Sequence, residues 1–479
     1  MKKKQQIEAD IKSLIEKGVL SPGDRLPSVR ELSQRYGVSI TPVNDAYSEL
    51  IDSGWVESRP RSGYYVAVPP VNSELEQVHR RQYLNTAERY RLIDDFIAGY
   101  SSVAFNARNN ISVPFGATAA STSIYPCEDF NLYHANVLRR LSFQGNFQTM
   151  AHDRIELKRE IVKWSAGREF LGAPESVSLT RGVTDGIMLS LRACASPGSC
   201  IAVEAPGHAG FYFIARFFDY RIAAVPSDPK TGLDVGRFEK QLENGLRPAC
   251  LILCSNFSNP TGALMPPENK QRLALLCAKH GVPIIEDDIC GDLYFSDERP
   301  MPIKYYDPEN VIYVSGFGKS LNPDVRLGYI SGGKYSDSIA FYKHLTVSYV
   351  QLSVQLAYAE YLRSGPALKA LSFRRRRFQE ILTSCSRLIS DCFPDGTAAD
   401  VPAGGIYLWV TLPKGCNSER LSQFAGEHGI SIAPGHLFNA PEKMNSCFRI
   451  NCAAAPWDAK AEEAVIRLGA IARRMSQTK

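Results

Sequence analysis

The stretch SGFGKSLNPDVRLGY, Ser315 to Tyr329, follows the apolar run NVIYV at 310–314 and holds one lysine, Lys319, and one arginine, Arg326, seven residues apart. Most lysines are solvated surface charges. A lysine that acts as a nucleophile must be held partly desolvated, since desolvation favours its neutral form. Whether Lys319 is a charge or a nucleophile depends on what the rest of the chain builds around it.

Similar runs recur on both sides: SVSLT (176–180), CIAVE (200–204), RIAAV (221–225), CLILC (250–254), VPIIED (282–287) and RLGYIS (326–331). Helical stretches such as Lys270–His280 separate several of them. β-Branched strands alternating with helices predict an α/β fold with a mostly parallel sheet and helices on both faces. Further on, GIYLWVTL and CFRINC are mixed with helical runs, which predicts a small C-terminal α+β subdomain.

A lysine that forms a Schiff base must face an aldehyde. Pyridoxal 5'-phosphate in that place requires a carboxylate at its ring nitrogen, donors at its phenolate oxygen, donors for its phosphate and a flat group against the ring. The chain offers a candidate for each. Asp287 ends VPIIED and can keep the ring nitrogen protonated. Asn259, in SNFSNPTG, can donate to the ring oxygen. Arg326 can grip a phosphate with two parallel bonds. LTRGVTDGIMLSL reads as a strand, a Gly turn and a helix start, so the N–H groups of Val183 and Thr184 and the Thr184 hydroxyl meet an anion at the helix dipole. His208, in EAPGHAG, can lie on the ring face. Each signal is weak alone: an Asp after a strand is more often a cap, a lone His a loop residue, and Asn-Pro-Thr-Gly a plain turn. The ordered set is much harder to obtain by chance.

With 479 residues the chain is too long for one core and predicts two or more domains. Its 44% hydrophobic and 22% charged residues are ordinary for a soluble globular protein. The net charge of +5 is too small to argue by itself for nucleic acid or membrane binding. No apolar run reaches the roughly 18 to 20 residues of a membrane helix. The start, MKKKQQIEADIKSLIEKG, is polar and helical, not a secretory signal. Twelve cysteines without a C-x-x-C pair predict reduced thiols in the cytoplasm, most of them buried as small apolar residues, and no metal site.

Residues 1–68 form a separate block. Ile7, Ile11, Leu14 and Ile15 make a helical stripe. SVRELSQRYGV predicts a second helix with Ser28 as N-cap and Glu31 completing a capping box. A third helix is expected over Ser39–Ser53, with Val43, Ala46, Tyr47 and Leu50 on one face and Pro42 in its first turn. WVESRPRSGYYVAV reads as two short strands around a basic turn. Three helices and a hairpin make a winged helix-turn-helix, whose recognition helix would present Ser39, Ile40, Thr41 and Asn44 to base edges of double-stranded DNA. Arg25, Arg30, Arg59 and Arg61, with Ser28, are placed to contact phosphates, and Gly63 lets the wing turn tightly. Residues 69–110, polar and charged, are expected to be a linker, and 111–479 the effector body.

Two resemblances bear on these readings. PGDRLPSVRELSQRYGVSITPVNDAYSELIDSGWVESRPRSGYYV resembles the GntR-type winged helix, with Ile40 where many of that family carry Arg. The body resembles a class I aminotransferase of the fold-type I pyridoxal-phosphate family. It shares NPTG at 259–262, EDD at 286–288, the lysine stretch at 315–329, PAGGIYLWVTLP at 402–413, APGHLF at 433–438 and FRIN at 448–451. The resemblance implies that Lys319 carries the cofactor and that Arg449 grips an α-carboxylate. Together, head and body are similar to the MocR subfamily of transcriptional regulators. That similarity implies a head-to-tail homodimer that binds DNA and senses a small amine, an amino acid or the cofactor itself.

The chain departs from the family pattern in three places. Ile289 and Cys290 stand where a tyrosine usually donates to the ring oxygen, and a thiol is a poorer donor than a phenol. Gly316 and Gly318 replace two hydroxyl residues of the phosphate site, with Ser315 as a partial substitute. His208 stands where an aromatic ring is common. These departures point to a regulator slow or inactive in transamination. A true aminotransferase with a DNA-binding appendage, and a cofactor-free body that only pairs the heads, are the alternatives.

Overall fold

The computed structural model describes residues 3–16, 20, 23–59, 62–67, 111–125, 128–141, 152–164, 170–346 and 349–477. The chain divides into two compact units, Met1–Thr86 and Ala87–Lys479. The linker expected at 69–110 lies outside the described residues.

The first unit is built as the sequence predicts. Helices α1 (Lys3–Glu16), α2 (Val29–Tyr36) and α3 (Ile40–Asp52) pack their apolar faces together, and strands β1 (Val56–Arg59) and β2 (Gly63–Val66) pair antiparallel. The core holds Ile7, Ile11, Leu32, Val43, Ala46, Tyr47 and Leu50. Ser28 and Glu31 form the capping box that starts α2, and Gly37 in the left-handed region (φ 62°) ends it. The Tyr47 ring stacks on Tyr64 of the wing at 4.2 Å, which locks α3 to the hairpin.

The second unit is built on an eight-stranded sheet of order β3-β10-β9-β8-β7-β4-β5-β6. Its strands are β3 (Val177–Thr180), β4 (Cys200–Ala205), β5 (Arg221–Asp228), β6 (Gly232–Leu233), β7 (Leu251–Leu253), β8 (Ile284–Asp287), β9 (Val311–Gly316) and β10 (Gly328–Ser331). The five strands from β9 to β5 run parallel; β10 is antiparallel to both β9 and β3, and β6 is antiparallel to β5. Each of the seven expected strands is present, whereas the two-residue β6 has no periodic signal to find. The strand at 311–316 runs two residues past the expected run, which takes Ser315 and Gly316 into the sheet.

Apolar side chains fill both sheet faces, Ile187, Ile252, Ile285 and Val314 in one cluster and Leu251, Leu253, Ile284 and Val311 in another. This two-sided burial explains why the strands read as continuous apolar runs. The subdomain near the C-terminus carries β11 (Leu408–Thr411), β12 (Ala433–Pro434) and β13 (Cys447–Ile450), in the order β11-β13-β12. Arg449 sits on the central strand, opposite Trp409 on one side and Ala433 on the other.

Candidate functional site

Parallel strands bring the residues that follow them to one edge of the sheet, where open α/β sheets bind ligands. Here that edge borders a cavity of about 630 Å³. Its lining includes Val183 and Thr184 after β3, His208 after β4, Asn259 after β7, Asp287 and Cys290 at the end of β8, and Lys319 and Arg326 between β9 and β10.

One wall is made for an anion. Val183 and Thr184 open the helix Val183–Cys194, and Gly182 before them takes φ 91°. A Cβ on Gly182 would lie 3.3 Å from the Arg326 guanidinium, so the arginine rests against the helix N-terminus. Two positive elements therefore face one spot, an arrangement that an anion stabilises. Gly316 has a steric reason to be glycine, since a Cβ there would come 2.7 Å from the Leu327 carbonyl oxygen. Gly318 lines the cavity, and a Cβ there would meet nothing within 4 Å.

The expectation for Ser315 is corrected. Its hydroxyl is buried in β9 and donates to the Asp288 carbonyl at 3.1 Å, and the residue does not line the cavity.

Asp287 is a buried carboxylate whose Oδ1 accepts from the Ile289 N–H at 3.0 Å. Burial pushes it up to about 7, and the Asp288 and Glu286 charges add to this, while the Ile289 N–H and Lys319 oppose. A positive partner in the cavity would hold it ionised. Its neighbour Asp288 is anchored away from the cavity. It accepts from Asn256 Nδ2 at 2.9 Å and from the Tyr313 hydroxyl at 2.8 Å, and pairs with buried Arg299. These bonds fix the end of β8 and with it Asp287.

Burial lowers Lys319 to about 8, and repulsion by Arg449 and Arg326 adds to this, while Asp287 opposes it. Its backbone carbonyl accepts from the Tyr125 hydroxyl at 2.8 Å, and that of Ser320 from Arg374 at 3.2 Å, so the turn carrying the lysine is held at two points. The Cys290 thiol is pushed up to about 12 by burial and stays protonated.

Asn259 sits between two partners. Its Oδ1 accepts from Arg449 Nη1 at 3.1 Å, and its Nδ2 lies 3.1 Å from His208 Nδ1. Because the guanidinium can only donate, the amide orientation is fixed and His208 Nδ1 must accept. The imidazole is then neutral with its proton on Nε2. Burial, with Arg449 and Lys319 adding repulsion, lowers it to about 3 and keeps it so.

Arg449 is close to the cavity without lining it. Its Nη2 donates to the Gly116 carbonyl and, at 3.3 Å, to that of Ala117. The same short segment meets Lys319, whose Nζ donates to the Thr118 carbonyl, and Tyr407, whose hydroxyl reaches that oxygen at 2.9 Å. Asn451 Nδ2 donates to the carbonyls of Ala117 and Ala119 at 3.0 and 2.9 Å. Residues 116–119 thus form a strap of backbone acceptors across the lysine and the arginine. Neither the strap nor Tyr407 was among the expected site residues. Tyr407 lies within the quoted PAGGIYLWVTLP, and the strap has no local signal.

In the first unit, Ser39, Thr41 and Asn44 are exposed on or just before α3, and Arg25 and Arg30 are exposed near it. Ser39 caps α3 without a side-chain hydrogen bond, whereas the Ser28 hydroxyl is used in the α2 cap. Gly63 takes φ 112° at the wing, 3.7 Å from the Arg25 guanidinium by its projected Cβ. Arg59 pairs with Glu57 at 2.6 Å and lies over the Tyr65 ring. Arg61 lies outside the described residues.

A two-unit chain with a winged helix-turn-helix and a lysine-bearing α/β pocket defines a class that comparison with known proteins identifies. Residues 130–468 match the model of aminotransferase class I and II, and residues 3–66 that of bacterial regulatory proteins of the gntR family. The chain belongs to the aminotransferase class I and II family, with a GntR-type head fused to its body. It is 29% identical, over 98% of both chains, to the uncharacterized HTH-type transcriptional regulator YdcR of Escherichia coli. It is 26% identical to the HTH-type transcriptional regulator TauR of Rhodobacter capsulatus, over 91% of this chain and 90% of that one. Among solved structures, LysN, an alpha-aminoadipate aminotransferase from Thermus thermophilus complexed with N-(5'-phosphopyridoxyl)-L-leucine, superimposes with a TM-score of 0.71 at 23% identity. The match covers 83% of this chain and 100% of LysN. Among the described residues, no helix is long and apolar enough to cross a membrane.

Proposed function

We propose that this protein is a cytoplasmic transcriptional regulator that binds double-stranded DNA through its head and pyridoxal phosphate through Lys319 of its body, and that it works as a homodimer. The observation that carries the reading is the convergence on one cavity of a lysine lowered to about 8, a buried carboxylate raised to about 7, and an arginine against a helix N-terminus.

The residues present fit the cofactor. Arg326 with the N–H groups of Val183 and Thr184 would hold its phosphate, Asp287 its protonated ring nitrogen and Lys319 its aldehyde carbon. When bound, pyridoxal phosphate supplies an electron sink and an exchangeable carbonyl. The neutral His208 ring and the Asn259 amide shape the face against which it rests. Cys290, protonated and buried beside Lys319, gives that face a weak donor in place of a phenol.

The effector class follows from Arg449. Among small amines, an amino acid can reach this guanidinium with its carboxylate, which would then replace the carbonyls of Gly116 and Ala117. The strap must then move, and a ligand that favours one strap position shifts the body toward it. Low or absent turnover is consistent with a lysine and an arginine both held by backbone acceptors. The test is a DNA-binding titration of the full chain, with and without pyridoxal phosphate and a panel of amino acids. A change in affinity that disappears in Lys319→Ala supports the reading. An effect unchanged in Lys319→Ala refutes the role of the cofactor.

A further inference from the structure

Helix α3 buries Val43, Ala46, Tyr47 and Leu50 completely, yet its first residue, Ile40, is 48% exposed. A branched apolar side chain left outside the core contributes little to folding, and it begins the helix that a winged helix-turn-helix inserts into the major groove. Asn44 is also exposed and lies four residues on, one turn along the same face. Ser39, Thr41 and Ser48 are exposed near them, and none of residues 39–44 is charged.

The chemistry of the groove limits what such a face can read. Guanine presents two acceptors and is matched by Arg or Lys, which this stretch lacks. The thymine 5-methyl is the apolar group on the major-groove edges, and adenine N6 and N7 match a carboxamide that donates and accepts together. We infer that Ile40 contacts the methyl group of a thymine and that Asn44 pairs with an adenine, so that α3 selects an A·T-rich half-site core. Four helical residues span about 6 Å, against about 3.4 Å per base pair. The two contacts therefore fall one or two base pairs apart. This inference rests on the DNA-binding reading of the head.

The experiment is selection of random double-stranded DNA by the full chain at fixed salt, followed by atomic substitution in the selected site. Replacing a contacted thymine with deoxyuridine removes only the methyl group. Burial of one such carbon corresponds to about a fourfold change in affinity. The expected result is an enriched site with a thymine one or two base pairs from an adenine. Deoxyuridine at that thymine should weaken the wild type about fourfold and leave Ile40→Ala unaffected. Asn44→Ala should lose preference at the adenine alone, and Ile40→Arg should turn the thymine position toward guanine. Ile40 is exposed, so thermal melting of Ile40→Ala should match the wild type, separating readout from folding. A selected site in which every thymine tolerates deoxyuridine, or in which Ile40→Ala pays the same deoxyuridine penalty as the wild type, overturns the inference but leaves DNA binding standing. A wild-type chain that enriches no sequence overturns the inference together with the reading beneath it.

Discussion

The covalent attachment of pyridoxal phosphate should depend on pH in a way that reports the burial of Lys319. Only the neutral amine attacks an aldehyde. With burial and two arginines lowering Lys319 to about 8, about a tenth of the amine is neutral at pH 7 and about nine tenths at pH 9. The attachment rate should therefore rise roughly tenfold over that interval and level off above it. An ordinary lysine at 10.5 would rise nearly a hundredfold over the same range and still be climbing. Arg449→Met removes one source of repulsion and should move the midpoint to higher pH. The assay is stopped-flow absorbance of the cofactor-free chain mixed with pyridoxal phosphate between pH 6.5 and 9.5. A rate that climbs through pH 9.5 with no plateau would refute the view that Lys319 is desolvated.

Four further outcomes are expected. Lys319→Met should melt a few degrees above the cofactor-free wild type at pH 6, and the gap should narrow as pH rises from 8 toward 10.5, because the lysine is charged in both folded and unfolded states below its folded value and its burial penalty is then complete; a gap independent of pH would contradict this. Gly182→Ala strains a φ of 91° and crowds Arg326, so equilibrium titration should give at least a tenfold loss of pyridoxal phosphate affinity, with circular dichroism of the chain unchanged. Tyr47→Ala removes a fully buried ring stacked on Tyr64 at a cost of about 3–5 kcal/mol; fluorescence-detected DNA binding should be lost while cofactor binding survives. Arg30→Ala should reduce the slope of log affinity against log salt by about one per head and lower affinity evenly across DNA sequences, as for a phosphate contact.

The site was legible in the sequence where chemistry and strand ends coincide. Asp287, Asn259, His208, Lys319 and the Val183–Thr184 turn each follow a β-branched run, and parallel strands carry such residues to the same edge whatever their order in the sheet. Ser315 was misplaced because strand ends are the least certain feature of an apolar pattern. Ser315 lies in the two residues by which β9 outruns its apolar pattern, and its hydroxyl donates to the Asp288 carbonyl. The strap was illegible for a different reason. Its contacts reach from Gly116 to Arg449, 333 residues away, and use backbone carbonyls, which every residue carries. A small-residue run such as GATAAS has no pattern that marks it as the acceptor for a buried guanidinium. The strand order, with β10 antiparallel between β3 and β9, is likewise set by tertiary packing and not by periodicity.

That Lys319 carries the cofactor is tested by the visible absorption spectrum of the purified chain with pyridoxal phosphate, before and after borohydride, for the wild type and Lys319→Ala. The wild type should show an absorption band that borohydride abolishes, with the reduced cofactor mass fixed on the peptide containing Lys319, and the variant neither feature. A wild-type chain with no band, or a band and adduct that persist in Lys319→Ala, would contradict that role of Lys319.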